Sequence, residues 1–349
     1  MIEGPVRRDG THRGERRLAV AICSHNPRPE YLSRVLIALR AQTLRTSEWE
    51  LILVDNASHE HLDSYDLTWH PHHAHIREET LGLTSARVRA IQETLADLIV
   101  FVDDDNVLAP EYLERALSLA AKHSRLGVFG AGVINPEFEA APSSELAPWL
   151  HSLLALRSVE TECWTNDPRE YRCVPCGAGL CVRSSVAKAY VECVDALRIT
   201  EVLDRIGERL FGGGDDLFSF TAARSGWGVG LFPELHITHL IPENRLRKRY
   251  LRRLVHDHAY AHAIREYRLY NEQPPVLGFL VMARILLHGI RRGPLSMRYR
   301  WAAALGAQRA ARFIGSSGLE PLEDIVLSGQ VEGARSLGDA KVANLAERS

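Results

Sequence analysis

Long apolar runs are scarce in this chain. The longest candidate, Val276 to Ile290, is interrupted by Arg284 and His288, and none approaches the roughly 20 apolar residues that a bilayer-spanning helix needs. A transmembrane protein is therefore not expected. An apolar leader is lacking too: Met1 to Arg17 is polar and arginine-rich, so the six cysteines are expected as free thiols in a reducing, cytoplasmic setting. Cys173-x-x-Cys176 with Cys181 resembles half of a zinc site, but no second CxxC or spaced histidine pair completes it. Aromatics are few, at 7%, and no internal repeat is visible. Strong net charge is also missing, yet the formal value of -2 hides an arginine-rich stretch from Arg245 to Arg312, including Arg247-Lys248-Arg249 and Arg291-Arg292.

What is present is an ordinary globular composition, 46% hydrophobic and 25% charged over 349 residues, enough for one large α/β domain with an appendage. Leu18 to Cys23, Leu51 to Val54 and Leu98 to Val102 are short continuous apolar runs, the pattern of strands buried on both faces of a parallel sheet. Helical spacing fills the gaps, from Glu30 to Ala41 and from Ser85 to Leu95, so the succession predicts an open, mostly parallel sheet flanked by helices. Further strands are expected at Gly127 to Val133, Leu180 to Val182 and Val229 to Phe232. Leu217 to Ala223 has helical spacing, and the stretch from Asn135 to Arg172, with four prolines, is expected to be irregular. The run His70-Pro71-His72-His73-Ala74-His75 reads as a polar surface loop. The divisions expected are a flexible N-terminus (1–17), a sheet domain (18–243), a basic helical region (244–314) and a weakly structured tail (315–349).

Chemistry concentrates in the acids. In such a sheet the loops after the carboxyl ends of the strands share one edge, where ligands bind; Asn26, Asp55 and Asp103-Asp104-Asp105 all fall there. Three adjacent carboxylates repel and raise one another's pKa. A hard cation, Mg²⁺ or Mn²⁺, removes that cost and commonly shares its site with substrate phosphates. An N-cap or solvated turn needs only one acid. In an extended segment Asp103 and Asp105 point to the same side, making them the natural metal pair.

These segments resemble those of the family 2 glycosyltransferases. Leu18 to Pro27 is similar to that family's opening strand, Leu51 to Ser58 to its second strand, and Leu81-Gly82-Leu83-Thr84-Ser85-Ala86-Arg87 to the glycine-to-arginine segment that follows. Phe101-Val102-Asp103-Asp104-Asp105 resembles its DxD motif, and Gly212-Gly213-Gly214-Asp215-Asp216-Leu217 a later motif, with Gly214 where glutamate is usual. The resemblance spans roughly residues 18 to 245 and preserves the family's order.

The resemblance implies a GT-A fold with a helical C-terminal extension. It also implies inverting, hexosyltransferase-like transfer from a nucleotide-diphosphate sugar to a carbohydrate or lipid-linked glycan acceptor, of the kind used in polysaccharide biosynthesis. Ser24, Asn26, Pro27, Asp55, Arg87, Asp103, Asp104 and Gly179 would line the nucleotide and substrate site. Asp105 would be the main ligand of a divalent cation (Mg²⁺ or Mn²⁺), with Asp103, and with His239 preferred to His236. Asp215, or alternatively Asp216, would be the general base; either acid could instead cap a helix. Arg245 follows His239 closely enough to reach a diphosphate.

Two other readings stand beside this one. Gly214 in place of glutamate is compatible with a binding protein that recognises a carbohydrate or nucleotide without turnover. A nucleotidyltransferase also needs carboxylate-bound metal, but Ser24 to Glu30 lacks the glycine- and lysine-rich loop that holds a triphosphate. The basic C-terminal region is interleaved with few aromatic platforms, so nucleic acid is not expected. Cationic residues alternating with Leu280, Ile285 and Leu286-Leu287 fit either a core helix or peripheral contact with an anionic membrane at its inner face.

Overall fold

The computed structural model describes residues 17–167, 169–197, 210, 213–275 and 277–321. The N-terminal stretch through residue 16, Pro168, Gly212, Val276 and the tail from 322 lie outside them. Ten strands form one sheet: β1 (Leu18–Ser24), β2 (Trp49–Asn56), β3 (His73–Glu78), β4 (Leu98–Val102), β5 (Asn106–Leu108), β6 (Leu126–Phe138), β7 (Arg157–Ser158), β8 (Cys163–Thr165), β9 (Leu180–Arg183) and β10 (Gly228–Ile241). The order is β3-β2-β1-β4-β9-β6-β10-β5, with β7 on β6 and β8 on β10. β3, β2, β1 and β4 are mutually parallel, as are β6 and β10, whereas β9 runs antiparallel to β4 and β6.

Alternation along each strand divides the apolar residues between two cores. Leu18, Val20 and Ile22 of β1 enter one, and Ala21 and Cys23 the other, as a period of two requires. The first core is covered by α1 (Pro29–Arg40) and α3 (Tyr112–Lys122), through Leu32, Val35, Leu39, Tyr112 and Ala116. The second is covered by α2 (Leu83–Glu93), α5 (Ser184–Leu197) and α6 (Gly214–Arg224). A short helix, α4 (Ala147–Leu153), follows β6. The C-terminal helices are α7 (Lys248–Tyr270), α8 (Phe279–Arg292) and α9 (Pro294–Ser317). α7 and α9 contribute to both cores, through Leu251, Leu254, Leu295 and Tyr299 to the first and Tyr260, Ile264, Ala310 and Ile314 to the second. The α/β architecture, the mostly parallel sheet flanked by helices and the helical C-terminal region are those expected. Among the described residues no helix is long and apolar enough to cross a membrane.

The structure departs from expectation in three places. The histidine run is not a surface loop: His70 is fully buried, its ring 4.1 Å from that of Trp49, and His73–Glu78 is the edge strand β3. Ala74 and Ile76 turn into the core there while His73 and His75 face outward, so alternation made a strand from a segment whose composition suggested a loop. The stretch after Asn135 is more regular than its prolines imply, because β6 continues to Phe138 alongside β10. Finally, Cys163 and Cys173 are joined by a disulfide, so only Cys23, Cys176, Cys181 and Cys193 are free thiols.

Candidate active site

The carboxyl ends of β1, β2, β3 and β4 lie side by side, with Ser24 in register with Asp55, and the β1 and β2 loops are stitched together there. Asn26, at φ 49°, donates its backbone N–H to Ser58 Oγ at 2.9 Å and accepts the His59 N–H at 2.9 Å through Oδ1. Pro27 follows, half-buried, ahead of α1. Asp55 is turned inward, where its carboxylate accepts the N–H groups of Ser58 (3.0 Å) and Leu62 (3.3 Å) and a 2.6 Å ion pair from Arg77 of β3. Burial acts to raise its pKa, but the Ser58 hydroxyl, Arg77 and the two backbone donors outweigh it and hold the carboxyl below its ordinary value. Sequence reading missed Arg77, which sits 22 positions away on the unrecognised strand β3.

Asp55→Asn is therefore expected to lower stability by about 1–3 kcal/mol, read from the urea midpoint. The sign follows from a depressed folded pKa: the contribution is complete above the unfolded value of about 3.9 and is lost as pH falls through the lower folded value. The variant's deficit should accordingly be constant near neutral pH and shrink in strong acid.

Residues 103–105 form a turn, not an extended segment, with the Asn106 N–H bonded to the Asp103 carbonyl at 3.1 Å. Simple alternation does not apply, and the three side chains diverge. Asp104 accepts a hydrogen bond from the Ser24 hydroxyl. Burial, followed by repulsion from Asp105, pushes it up to about 7 despite that bond. Asp103 is raised mainly by burial, opposed by Arg87 and assisted by Asp105 and Asp215. Asp105 accepts Asn106 Nδ2 at 2.6 Å and Arg245 Nη1 at 2.9 Å.

His239 reaches Asp105 because β10 pairs antiparallel with β5, setting His239 opposite Asn106. Its Nδ1 faces the Leu154 carbonyl at 3.2 Å and so carries the proton. The Nε2 lone pair is thereby left 3.3 Å from Arg245 Nη1 and 3.5 Å from Asp105 Oδ2. His236, two residues earlier on the same strand, is paired with Val133 of β6.

Arg87 links the two acidic clusters. It is 3% exposed, lies over the rings of Phe101 and Phe218, and is acted on most strongly, among the charged groups, by Asp103 and Asp215. Asp215 and Asp216 occupy the first turn of α6, which follows the N-cap residue Gly213. Asp215 accepts the Gly177 N–H at 2.8 Å. Burial would raise its pKa, but Arg87, the Gly177 and Asp215 backbone donors and Arg265 more than offset this, so the carboxyl is lowered and ionised. Asp216 forms an ion pair with Arg265 of α7 instead, and burial still pushes it up to about 6. Sequence reading missed Arg265 because 49 positions separate the partners.

The glycine segment is filled by the protein itself. A Cβ at Gly177 would lie 2.5 Å from Arg87 Nη2, and one at Gly179, where φ is +65°, would meet Ile237 Cδ1 and the Tyr112 hydroxyl at 2.5 Å. The Gly179 carbonyl accepts that hydroxyl at 2.6 Å. At Gly214, a Cβ would lie 3.2 Å from Thr84 Oγ1 and 3.6 Å from Arg87 Nη1, so the position normally held by glutamate is crowded here.

No group of three or more His, Cys, Asp or Glu side chains converges on one cation position among the described residues. What does converge is the Asp105 carboxylate and the His239 Nε2 lone pair, with the half-buried Asp103 and Asp104 adjoining. A cation held by one or two protein donors, and otherwise by substrate phosphates and water, is an ordinary arrangement for Mg²⁺. The donors present fit such a partly protein-held cation, not a closed cage.

Residues 19–159, which supply β1 through β7 and both the Asp55 and Asp103–Asp105 loops, match the family model described as Glycosyl transferase family 2. Over those residues the chain is similar to the family 2 glycosyltransferases. Among solved structures, the chain is similar to S. aureus TarS 1-349, at 15% identity and a TM-score of 0.42 over 91% of this chain and 97% of that one. The crystal structure of that S. aureus fragment in complex with UDP-GlcNAc aligns at 16% identity and a TM-score of 0.40, over the same shares. S. aureus TarS aligns at 16% and 0.40, with 89% of this chain and 57% of that one covered. Likenesses of this size carry nothing about a substrate. No curated protein matches the sequence.

Proposed function

We propose that the chain is a glycosyltransferase that moves a sugar from a nucleotide-diphosphate donor to an acceptor hydroxyl on a carbohydrate or lipid-linked glycan, with inversion, and that Asp215 is the base. The observation that carries this reading is the state of Asp215: a carboxylate kept ionised against burial, fixed by the Gly177 N–H at 2.8 Å and separated from the donor-side Asp103 by Arg87. A hydroxyl is a poor nucleophile until a positioned base takes its proton during attack. Asp215 can receive that proton, while Asp216 is already committed to Arg265. Attack opposite the leaving diphosphate inverts the anomeric carbon in one displacement, with no covalent sugar-enzyme intermediate.

Asp105, with His239 and Asp103, would hold a divalent cation, Mg²⁺ or Mn²⁺, which when bound neutralises charge on the departing diphosphate. Arg245 is a second cation at the same spot, 2.9 Å from Asp105, and is placed to pair with phosphate oxygens. In this reading Ser24 orients Asp104, Asn26 and Pro27 shape the nucleotide-side loop, and Asp55 with Arg77 braces it. Arg87 attracts both acids, opposing the rise that burial causes at Asp103 and helping to keep Asp215 ionised.

The test is calorimetric titration of the full chain with UDP, GDP and dTDP, each with and without Mn²⁺. Metal-dependent binding of one nucleotide is expected and would define the donor class. If a folded sample binds none of them, the assignment fails. Tight binding with no turnover on any acceptor would favour the reading, encouraged by Gly214, of a binding protein on the same scaffold.

A further inference from the structure

Helix α8 is unlike the other helices of this fold. Of its 14 residues only Ile285 is buried, while Phe279, Leu280, Leu286, Leu287 and Ile290 are 57% to 79% exposed. Residues 279, 283, 286 and 290 recur at helical spacing, with 280 and 287 beside them. The exposed apolar groups thus form one broad stripe, turned away from the side on which Ile285 is buried. Arg284 and Arg291, offset from each other by seven positions, run along one edge of that stripe.

Charge along this stretch of the sequence has a single sign. Between Glu272 and Glu320 the sequence contains seven arginines, from Arg284 to Arg312, and no aspartate or glutamate. His288, on α8, has its pKa lowered first by desolvation and then by Arg300, Arg292 and Arg291. α9 therefore adds to the same positive field. A cluster of large exposed apolar side chains on a soluble surface marks a contact site, and the charge narrows the partner. A second copy docked two-fold on this face would set arginine against arginine with no acid to receive it. At 14 residues the helix is too short to span a bilayer, but lying flat it would bury its stripe among acyl chains and leave its arginines at phosphate level.

We propose that α8 is an interfacial helix that docks the protein on an anionic lipid surface. α9 connects it to the site: the Tyr299 ring stands edge-on to Trp149 of α4 at 5.2 Å, and Leu154, at the end of α4, holds His239 through its carbonyl.

The experiment is co-sedimentation of the full chain with vesicles of phosphatidylcholine containing phosphatidylglycerol, against vesicles of phosphatidylcholine alone, at low and high salt. It is independent of nucleotide binding. Preferential pelleting with the anionic vesicles, weakened by salt, is expected. Arg291→Ala with Arg292→Ala should weaken it roughly fivefold per cation removed. Leu286→Glu, Leu287→Glu and Ile290→Glu combined should reduce it at least about tenfold. These side chains are exposed, so the triple variant should retain its thermal midpoint, which serves as the folding control. The proposal is overturned if the wild-type chain ignores anionic vesicles, as it would if a second copy or the chain's own residues past 321 covered the stripe. It is also overturned by equal binding to both vesicle types, or by a folded triple variant that binds as the wild type does.

Discussion

Asp215→Asn is expected to cut sugar transfer by at least about a hundredfold, within the roughly 10²–10⁴-fold that a positioned acid or base contributes, while leaving metal-dependent nucleotide binding intact. The substitution is isosteric, and the amide oxygen can still accept the Gly177 N–H that holds Asp215 at 2.8 Å. What disappears is the charge that receives the acceptor's proton. Arg87 keeps Asp103 as a counter-charge, so the floor of the site should not rearrange. Product formation at saturating donor, set beside calorimetric affinity for the nucleotide, separates the two effects. A variant that transfers normally would remove Asp215 from the chemistry. A variant that loses nucleotide affinity in proportion to activity would make it a binding residue.

The second large effect is expected at Asp105. Asp105→Ala deletes the carboxylate shared by Asn106, Arg245 and, at 3.5 Å, His239. Loss of the Mn²⁺-dependent part of nucleotide binding is expected, on the order of a hundredfold or about 3 kcal/mol. The metal-independent part should survive, because Arg245 is freed to pair with phosphate oxygens. Titrating the variant with and without Mn²⁺ measures both parts. An unchanged Mn²⁺ dependence in a folded variant would remove Asp105 as the cation's ligand. The contrast between the variants is informative in itself: one should lose rate with affinity kept, the other affinity first.

The parts of the fold legible in the sequence were those whose local pattern and tertiary environment agree. β1, β2 and β4 are buried on both faces and so read as unbroken apolar runs ending in the residues that line the sheet edge. α1 and α2 show their buried faces at helical spacing. β3 was hidden because an edge strand needs only one apolar face, and histidines fill its other. The turn at Asp103–Asp105 was hidden because alternation is a property of strands, and β4 stops at Val102.

At the site, the residue types were readable and their partnerships were not. Nothing local in the sequence ties Arg77 to Asp55, or Arg265 to Asp216, since each pair meets only when the sheet is assembled and, for Arg265, when α7 packs against α6. Arg245 was noticed from its nearness to His239 along the chain, but its bond to Asp105 crosses 140 positions. The Cys163–Cys173 link was equally invisible, because spacing alone does not report which thiols face each other.

The contact between Gly177 and Arg87 also bears on how this sequence can change over evolutionary time. A terminal guanidinium could ordinarily swing away from a new methyl group. Arg87, however, is buried over the adjoining rings of Phe101 and Phe218 and attracted by Asp103 and Asp215, so alanine at 177 would meet a side chain that cannot leave without giving up those partners. The Gly177 N–H also carries Asp215, so moving the backbone to make room would displace the proposed base. Drift at position 177 is thus closed while arginine stays at 87, and shortening residue 87 first would strip two acids of their counter-charge. Among sequences descended from a common ancestor with this one, the two positions should change together or not at all.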